Sequence, residues 1–310
     1  MTIHPDYIGC DVSKASLDIC DAGTGRLARV PNTLAGIARW LGTLAGRSVF
    51  VVFEATGAYD RALRYALAGA GVPFARINPM RAKRFAEASG RMAKTDALDA
   101  RMLAAYGKRF APAACPAPDP VRDRLTALSR RRDHLVAVRA TERMQAKDAA
   151  CEDIARCHEE TVAFLTDRID DLDAAIQDVI RADADLAADR ALLATAPGVG
   201  PVTQTTLLCL MPELGRLTPK TAAALAGLAP YDHSSGLLKG HRRIAAGRRR
   251  VRRALFMAAL NAARCSVRYK AIYDNLTERG KAHKTALVAV ARRLLCALNA
   301  MIRDRKPYAA

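Results

Sequence analysis

The sequence predicts an α/β layered domain, a long helical coiled-coil arm and a mostly helical C-terminal domain. Three observations predict it. Strand-like and helix-like patterns alternate over the first hundred or so of the 310 residues, the signature of a layered sheet. Between Pro120 and Pro197 none of the 76 intervening residues is Gly or Pro, so no strong breaker interrupts a helix there. Beyond Pro197 the apolar spacing is again that of amphipathic helices.

Taken in order, "DYIGCDVSK" (6–14) and "SLDICDAG" (16–23) read as adjacent strands joined by a short turn, with "GRLARVPN" as a third. Leu34, Ile37, Leu41 and Leu44 have helical spacing. "SVFVVFEATG" (48–57) is a near-continuous β-branched and aromatic run, typical of a buried central strand. A helix over 60–70, a strand over 72–79 and further helices follow. In the breaker-free stretch Val162, Leu165, Ile169, Leu172, Ile176 and Val179 recur at steps of three and four, the seam of a coiled coil. Val121, Leu125, Leu128, Leu135 and Val138 form a looser partner stripe. Two antiparallel helices of roughly 30 residues, each about 45 Å long, would fold back near residues 148–160. One continuous helix pairing with a second subunit satisfies the same pattern. The expected boundaries are 1–112, 113–190 and 191–310, with no internal repeat.

A formal net charge of +18 and a pI near 10 point to a polyanionic partner, since Lys and Arg that neutralise phosphates release counterions. The charge is segregated. Residues 151–190 hold twelve acids and four bases, whereas 233–273 hold eleven bases and no acid. No apolar run reaches the roughly 18 residues of a spanning helix, and "MTIHPDYIG" carries neither region of a signal peptide. The chain is therefore expected in the cytoplasm, with no membrane partner. The eight Cys show no CxxC pair and no His at ligand spacing; they are expected to be small core residues rather than disulfide or zinc ligands.

Four acids stand out. Asp11 interrupts the first strand where its neighbours call for an apolar residue. Glu54 ends the central strand, and Asp96 with Asp99 share a helix face in "KTDALDARMLA". Carboxylates at the carboxyl ends of strands lie where open α/β sheets bind ligands. Acids that repel one another become tolerable around Mg2+, which prefers hard oxygen ligands, and two such ions clamp the attacking and leaving oxygens of a phosphodiester. Each acid alone also fits a plain role: Asp11 a turn residue, Glu54 a helix cap, Asp96 and Asp99 solvated first-turn residues.

"IGCDVSK", "VFEATGAY" and "AKTDALDARMLA" resemble the RuvC-type, ribonuclease-H-like domain of insertion-sequence transposases that carry a DEDD tetrad and a C-terminal serine domain. This is the family of bridge-RNA-guided recombinases, which includes a pilin-gene invertase. "TAPGVGPVTQTTLL" and "LAGLAPYDHSSGLLKGHRRIAAGRRRVRRALFMAAL" resemble that family's C-terminal domain. The resemblance implies an α/β RuvC-like catalytic domain in which Asp11, Glu54, Asp96 and Asp99 bind Mg2+. It also implies a serine nucleophile in an S-G-x-x-x-G pattern, matched by Ser235, Gly236 and Gly240, with Ser234 as the neighbouring alternative. The implied partners are double-stranded donor and target DNA and a non-coding guide (bridge) RNA, bound by a homodimer or homotetramer.

Basic clusters flank both parts. Arg81, Lys83, Arg84, Arg91 and Lys94 precede the D-x-x-D helix; Lys239, Arg242, Arg243, Arg248 and Arg249 follow Ser235. Either group suits phosphate contacts or a solvated face. "PGVGP" (197–201) fits a glycine hairpin approaching a phosphate as well as a plain turn. Two further readings stay open on the residues alone. One is a junction-resolvase-type endonuclease using the same acids with water as nucleophile. The other is a non-enzymatic nucleic-acid scaffold.

Overall fold

The computed structural model describes residues 5–90, 96–232 and 243–309, the side chains of residues 96 and 97 excepted. The chain divides into two compact units, Met1–Asp119 and Pro120–Ala310.

The first unit is built on a five-stranded mixed sheet. Its strands are β1 (Asp6–Val12), β2 (Ser16–Asp21), β3 (Leu27–Pro31), β4 (Val49–Glu54) and β5 (Phe74–Ile77), in the order β3-β2-β1-β4-β5. β1 and β2 form an antiparallel hairpin, and β1, β4 and β5 run parallel. Helix α1 (Leu34–Gly42) starts where the Thr33 side chain accepts from the Gly36 amide, and α2 (Arg61–Gly69) links β4 to β5. α3 (Pro79–Ala88) is capped by Asn78, with proline at its first position, and α4 (Asp96–Phe110) follows.

Alternation along the strands makes two layers. Ile8, Cys10 and Val12, with Val51 and Phe53, bury against Ile37 and Trp40 of α1 and Leu63 and Leu67 of α2. Tyr7, Val52 and Ala75 on the other face bury against Met102, Leu103 and Tyr106 of α4. Five consecutive buried residues, Val49 to Phe53, make β4 an interior strand covered on both faces, but the central place expected for it belongs to β1. The mixed α/β architecture is compatible with a RuvC-like DEDD domain.

Among its described residues the second unit is helical apart from a two-residue ladder. α5 (Pro120–Gln145) and α6 (Glu152–Ala182) lie antiparallel: Glu142 meets His158 at 2.7 Å, Arg139 meets Thr166 at 3.0 Å, and Arg132 meets Asp173 at 3.1 Å. The turn comes at residues 146–151, earlier than the expected 148–160. A short 3-10 turn (Ala146–Asp148) ends α5, and Glu152 and Asp153 open α6, where acids complement the helix dipole. Leu135, Leu165 and Ile169 form a small cluster midway along this hairpin. At its base Leu125, Ile176, Val179 and Ile180 merge into the unit's main core.

That core is completed by α7 (Ala184–Ala194), α8 (Pro201–Leu210), α9 (Pro219–Ala226), α10 (Arg249–Cys265), α11 (Val267–Glu278) and α12 (His283–Asp304). The strands β6 (Pro230–Tyr231) and β7 (Arg243–Ile244) pair antiparallel. α12 is long and apolar enough to cross a membrane. Its apolar residues, among them Val290, Leu294 and Leu298, are instead buried in this core.

The cysteines depart from expectation. All eight are free, and Cys10, Cys20 and Cys209 are buried, but Cys151, Cys157 and Cys265 are exposed. The exposed three fall at the hairpin turn, on the outer face of α6 and at the end of α10. A small side chain tolerates such places as readily as the core.

Candidate active site

Register and alternation determine which acids meet. Asp11 lies two residues beyond Gly9 and four beyond Tyr7, so all three point to one face of β1. The parallel ladder ends with Cys10 paired to Phe53, so Asp11 and Glu54 each follow directly on the last pair of their two neighbouring strands. Val52, two residues before Glu54, packs on the α4 side of the sheet with Tyr7, so both acids face α4.

α4 lies directly on β1. A Cβ added to Gly9 would stand 2.0 Å from the Ala100 carbonyl oxygen and 2.4 Å from the Ala104 amide, and one added to Gly107 would stand 2.5 Å from the Tyr7 ring. Tyr7 thus lies by residue 107 and Gly9 by residues 100–104, so the helix runs against the strand. Its first turn, with Asp96 and Asp99, comes to the Asp11 end. Asp96 opens the helix, but its side chain lies outside the described residues. Asp11, Glu54 and Asp99 are all half-buried and carry polar or charge interactions of their own.

A fifth carboxylate belongs to the row. Asp18 of β2 stands directly opposite Asp11, and directly opposed residues project from the same face. Its side chain is only 14% exposed and lies 3.6 Å from Arg29 of β3. Asp18, Asp11 and Glu54 therefore follow one another across three neighbouring strands. Behind them burial pushes the Cys10 thiol up, and the charges of Asp11 and Asp18 add to the effect.

Three further side chains shape this edge. Asn32 donates to the Ser13 carbonyl at 2.8 Å and the Tyr59 carbonyl at 3.0 Å. It thereby ties the turn after Asp11 to the loop after Glu54. Asp60, fully buried, accepts from Arg64 at 3.1 Å, Arg76 at 2.6 Å and the Thr56 amide at 3.3 Å, which pins that loop. Asp21 holds the opposite end of the β1–β2 hairpin. Burial alone would raise its carboxyl, but hydrogen bonds from Arg47 and the Gly23–Thr24 turn outweigh this and hold it below its ordinary value.

Of the basic residues expected at this site, Arg81, Lys83 and Arg84 are exposed on α3, and Lys83 stands 3.9 Å from Glu87. Because Glu54 pairs with Ile77, α3 begins at the level of the acids. Arg91 and Lys94 lie outside the described residues, as do Ser234, Ser235, Lys239 and Arg242. Tyr231 and Arg243, on either side of that last segment, pair as β6 and β7. Arg243 and Arg249 are exposed. Arg248 is not: Glu213 binds it at 2.6 and 2.7 Å and the Leu210 carbonyl at 2.7 Å, so it braces the fold. In "PGVGP" the first glycine has a packing role. With φ +76°, Gly198 sits where a Cβ would come within 2.3 Å of the Ala258 carbonyl oxygen.

The donor set, carboxylate oxygen alone, is what a hard divalent cation takes. Among the described residues no three His, Cys, Asp or Glu side chains converge closely enough to hold a metal ion. A cage here would need Asp96.

Two family models match the chain. One for an IS110-type DEDD transposase, described as "Transposase", matches residues 8–152, which include all four tetrad acids. Another, "Transposase IS116/IS110/IS902 family", matches residues 190–274, which include Ser235. The chain belongs to the IS110-type transposase/recombinase family. The IS110-type protein is similar over 97% of its length to the pilin gene-inverting protein of Moraxella lacunata, at 28% identity and over 97% of that protein. The uncharacterised 43.6 kDa protein of insertion element IS110 from Streptomyces coelicolor is 36% identical over 38% of this chain and 29% of its own. The 42 kDa protein of IS900 from Mycobacterium paratuberculosis is 39% identical over 28% and 22%. As a member of this family the protein is an enzyme acting on DNA, and a DEDD domain implies dependence on a divalent metal.

Proposed function

We propose that the protein is the RNA-guided transposase of an insertion sequence, cutting and rejoining double-stranded DNA in the cytoplasm. In this reading residues 1–112 form the catalytic RuvC-like domain, 113–190 a coiled-coil arm and 191–310 the serine domain. A homodimer or homotetramer assembles on a guide RNA that pairs with donor and target. The observation that supports the reading is that Asp11 and Glu54 follow the last paired residues of two neighbouring parallel strands, Cys10 and Phe53, with α4 packed on β1 at Gly9.

Asp11, Glu54, Asp96 and Asp99 would hold Mg2+. Bound there, the metal neutralises charge on the attacking and leaving oxygens. Ser235 supplies the nucleophile. As its Oγ–phosphorus bond forms, the bond from phosphorus to one deoxyribose oxygen breaks and that oxygen departs with a proton. Attack by a deoxyribose hydroxyl of the new partner strand returns the serine, so the phosphoester is conserved for rejoining. Arg81, Lys83, Arg84, Arg91 and Lys94 on one side, and Lys239, Arg242, Arg243 and Arg249 on the other, hold backbone phosphates. The Moraxella relatives are named for inverting a pilin gene, and inversion needs strands rejoined as well as cut, which favours a covalent intermediate over hydrolysis.

The test is strand exchange by Ser235→Ala with guide RNA and Mg2+ present. Loss of exchange, together with a wild-type protein–DNA adduct mapping to Ser235, supports the reading. Intact exchange, or an adduct on another residue, removes the serine. Clean 5′-phosphate and 3′-hydroxyl ends without any adduct would point to a junction-resolvase-type endonuclease using water.

A further inference from the structure

α12 contains an anomaly that the site described above does not use. Its middle reads "LVAVARRLLCAL" (287–298), two arginines inside an apolar run. Arg292 is half-buried, Arg293 is exposed, and Arg268 of α11 lies across from them. Among the described residues none of the three guanidiniums makes an ion pair or hydrogen bond to protein. Between His283 and Arg303 α12 carries no acid. Arg292 alone is partly withdrawn from water, where a charge is normally paired, and among the described residues no acid pairs with it.

The three arginines rim a cleft of about 600 Å³ between α11 and α12, with Ile272, Ala289 and Ala297 on its walls and no acid among the residues that line it. A cationic rim over an apolar floor suits an anion that carries an apolar body. An unpaired nucleotide can lay its base against the floor while its phosphates meet the guanidiniums. A duplex keeps its bases stacked inside and offers this cleft only backbone.

We propose that the α11–α12 cleft binds a single-stranded segment of nucleic acid, with Arg268, Arg292 and Arg293 as its phosphate ligands. The proposal rests on the reading of this protein as one that acts on nucleic acid. It adds a site remote in sequence from both the DEDD acids and Ser235. It also distinguishes strand from duplex, which net charge alone does not.

Fluorescence anisotropy of the full-length protein with labelled dT12, rU12 and a 12-base-pair duplex, at salt from 50 to 200 mM, tests it. In Arg268→Gln/Arg292→Gln/Arg293→Gln the slope of log affinity against log salt should fall by about 2 for the single strands, at roughly 0.7 per phosphate lost. Duplex affinity should stay within about twofold. If the triple variant melts early, Arg268→Gln/Arg293→Gln, both exposed, should still lower the slope by about 1.4. Preference of the wild type for rU12 over dT12 identifies the strand as RNA, and equal or reversed binding identifies it as DNA. An unchanged single-strand slope, an equal loss for the duplex, or competition by polyglutamate at matched charge overturns the assignment. If the wild type binds no nucleic acid at all, the broader reading falls instead.

Discussion

Gly9→Ala should separate stability from catalysis at the proposed metal site. The added methyl would stand 2.0 Å from the Ala100 carbonyl oxygen, against an ordinary carbon–oxygen contact of about 3.3 Å. α4 must therefore retreat by roughly 1.3 Å, because the obstructing atoms are backbone. Overpacking of this kind costs about 1–3 kcal/mol. At ~2 kcal/mol, and roughly 3–6 °C per kcal/mol for a unit of this size, its thermal midpoint falls by about 6–12 °C. Metal-dependent cleavage, measured well below that midpoint, should fall about 100-fold, the cost of misplacing a catalytic group by about 1 Å. Two controls frame the result. Gly107→Ala meets the Tyr7 ring and Val52 at the far end of α4, so it should lower the midpoint with less than about a tenfold loss of rate. Gly42→Ala, with nothing within 4 Å, should be neutral or raise stability by about 0.4–1 kcal/mol. If Gly9→Ala leaves both midpoint and rate unchanged, the helix does not rest on the strand as described. Equal rate losses at Gly9 and Gly107 would refute the link between the first turn and the acids.

Three other outcomes are expected. Asp60→Asn leaves Arg64 and Arg76 without their carboxylate and should cost about 3 kcal/mol in urea unfolding; a loss below about 1 kcal/mol would show that the loop after Glu54 is anchored elsewhere. Asp21 and Glu213 are held below their ordinary pKa despite burial, Asp21 by Arg47 and Glu213 by Arg248. A carboxylate lowered in the folded state stabilises above its unfolded pKa of about 4 and loses that contribution as pH falls through the folded value. The urea midpoint should therefore drop below about pH 4, less steeply in Arg47→Gln and Arg248→Gln, and equal slopes in all three proteins would contradict the pairing. In a thiol-alkylation time course Cys151, Cys157 and Cys265 should react in the native protein. Cys10, Cys20 and Cys209, the last pushed up to about 11 chiefly by burial, should react only in denaturant, so early modification of Cys209 would place it outside the core.

Much of this architecture was readable from pattern. "SVFVVF" announces a buried interior strand because a strand covered on both faces has no polar alternation, although the central place went to β1, and the Val162–Val179 stripe announces a packed helix face because its period matches a seam. Asp11 and Glu54 stood out as acids at positions that sheet burial should exclude. Asp18 did not, since its meaning depends on register. Yet the short turn after Val12 determines that register, and folding the hairpin about residues 14 and 15 sets Asp18 opposite Asp11. The pairing of Arg248 with Glu213 had no such signal, because the partners lie 35 residues apart on elements whose meeting depends on how α8 and α10 pack. Asn32 and Asp60 were hidden for a related reason. Their partners are backbone carbonyls and arginines gathered at one edge of the sheet by tertiary structure.

The opposition of Asp11 and Asp18 also bears on how the first unit comes into being. Like charges directly across an antiparallel pair weaken it, so the β1–β2 hairpin alone is a poor nucleus. Arg29 of β3 offsets Asp18, whereas the dipole of α4 reaches the Asp11 end only once Asp99, 88 positions beyond Asp11, has been made. At about 5–20 residues per second that is roughly 4–18 s of synthesis. The sheet that carries the carboxylates is thus set to fold late and from distant parts, since α4, the helix that covers one face of β1, ends only at Phe110.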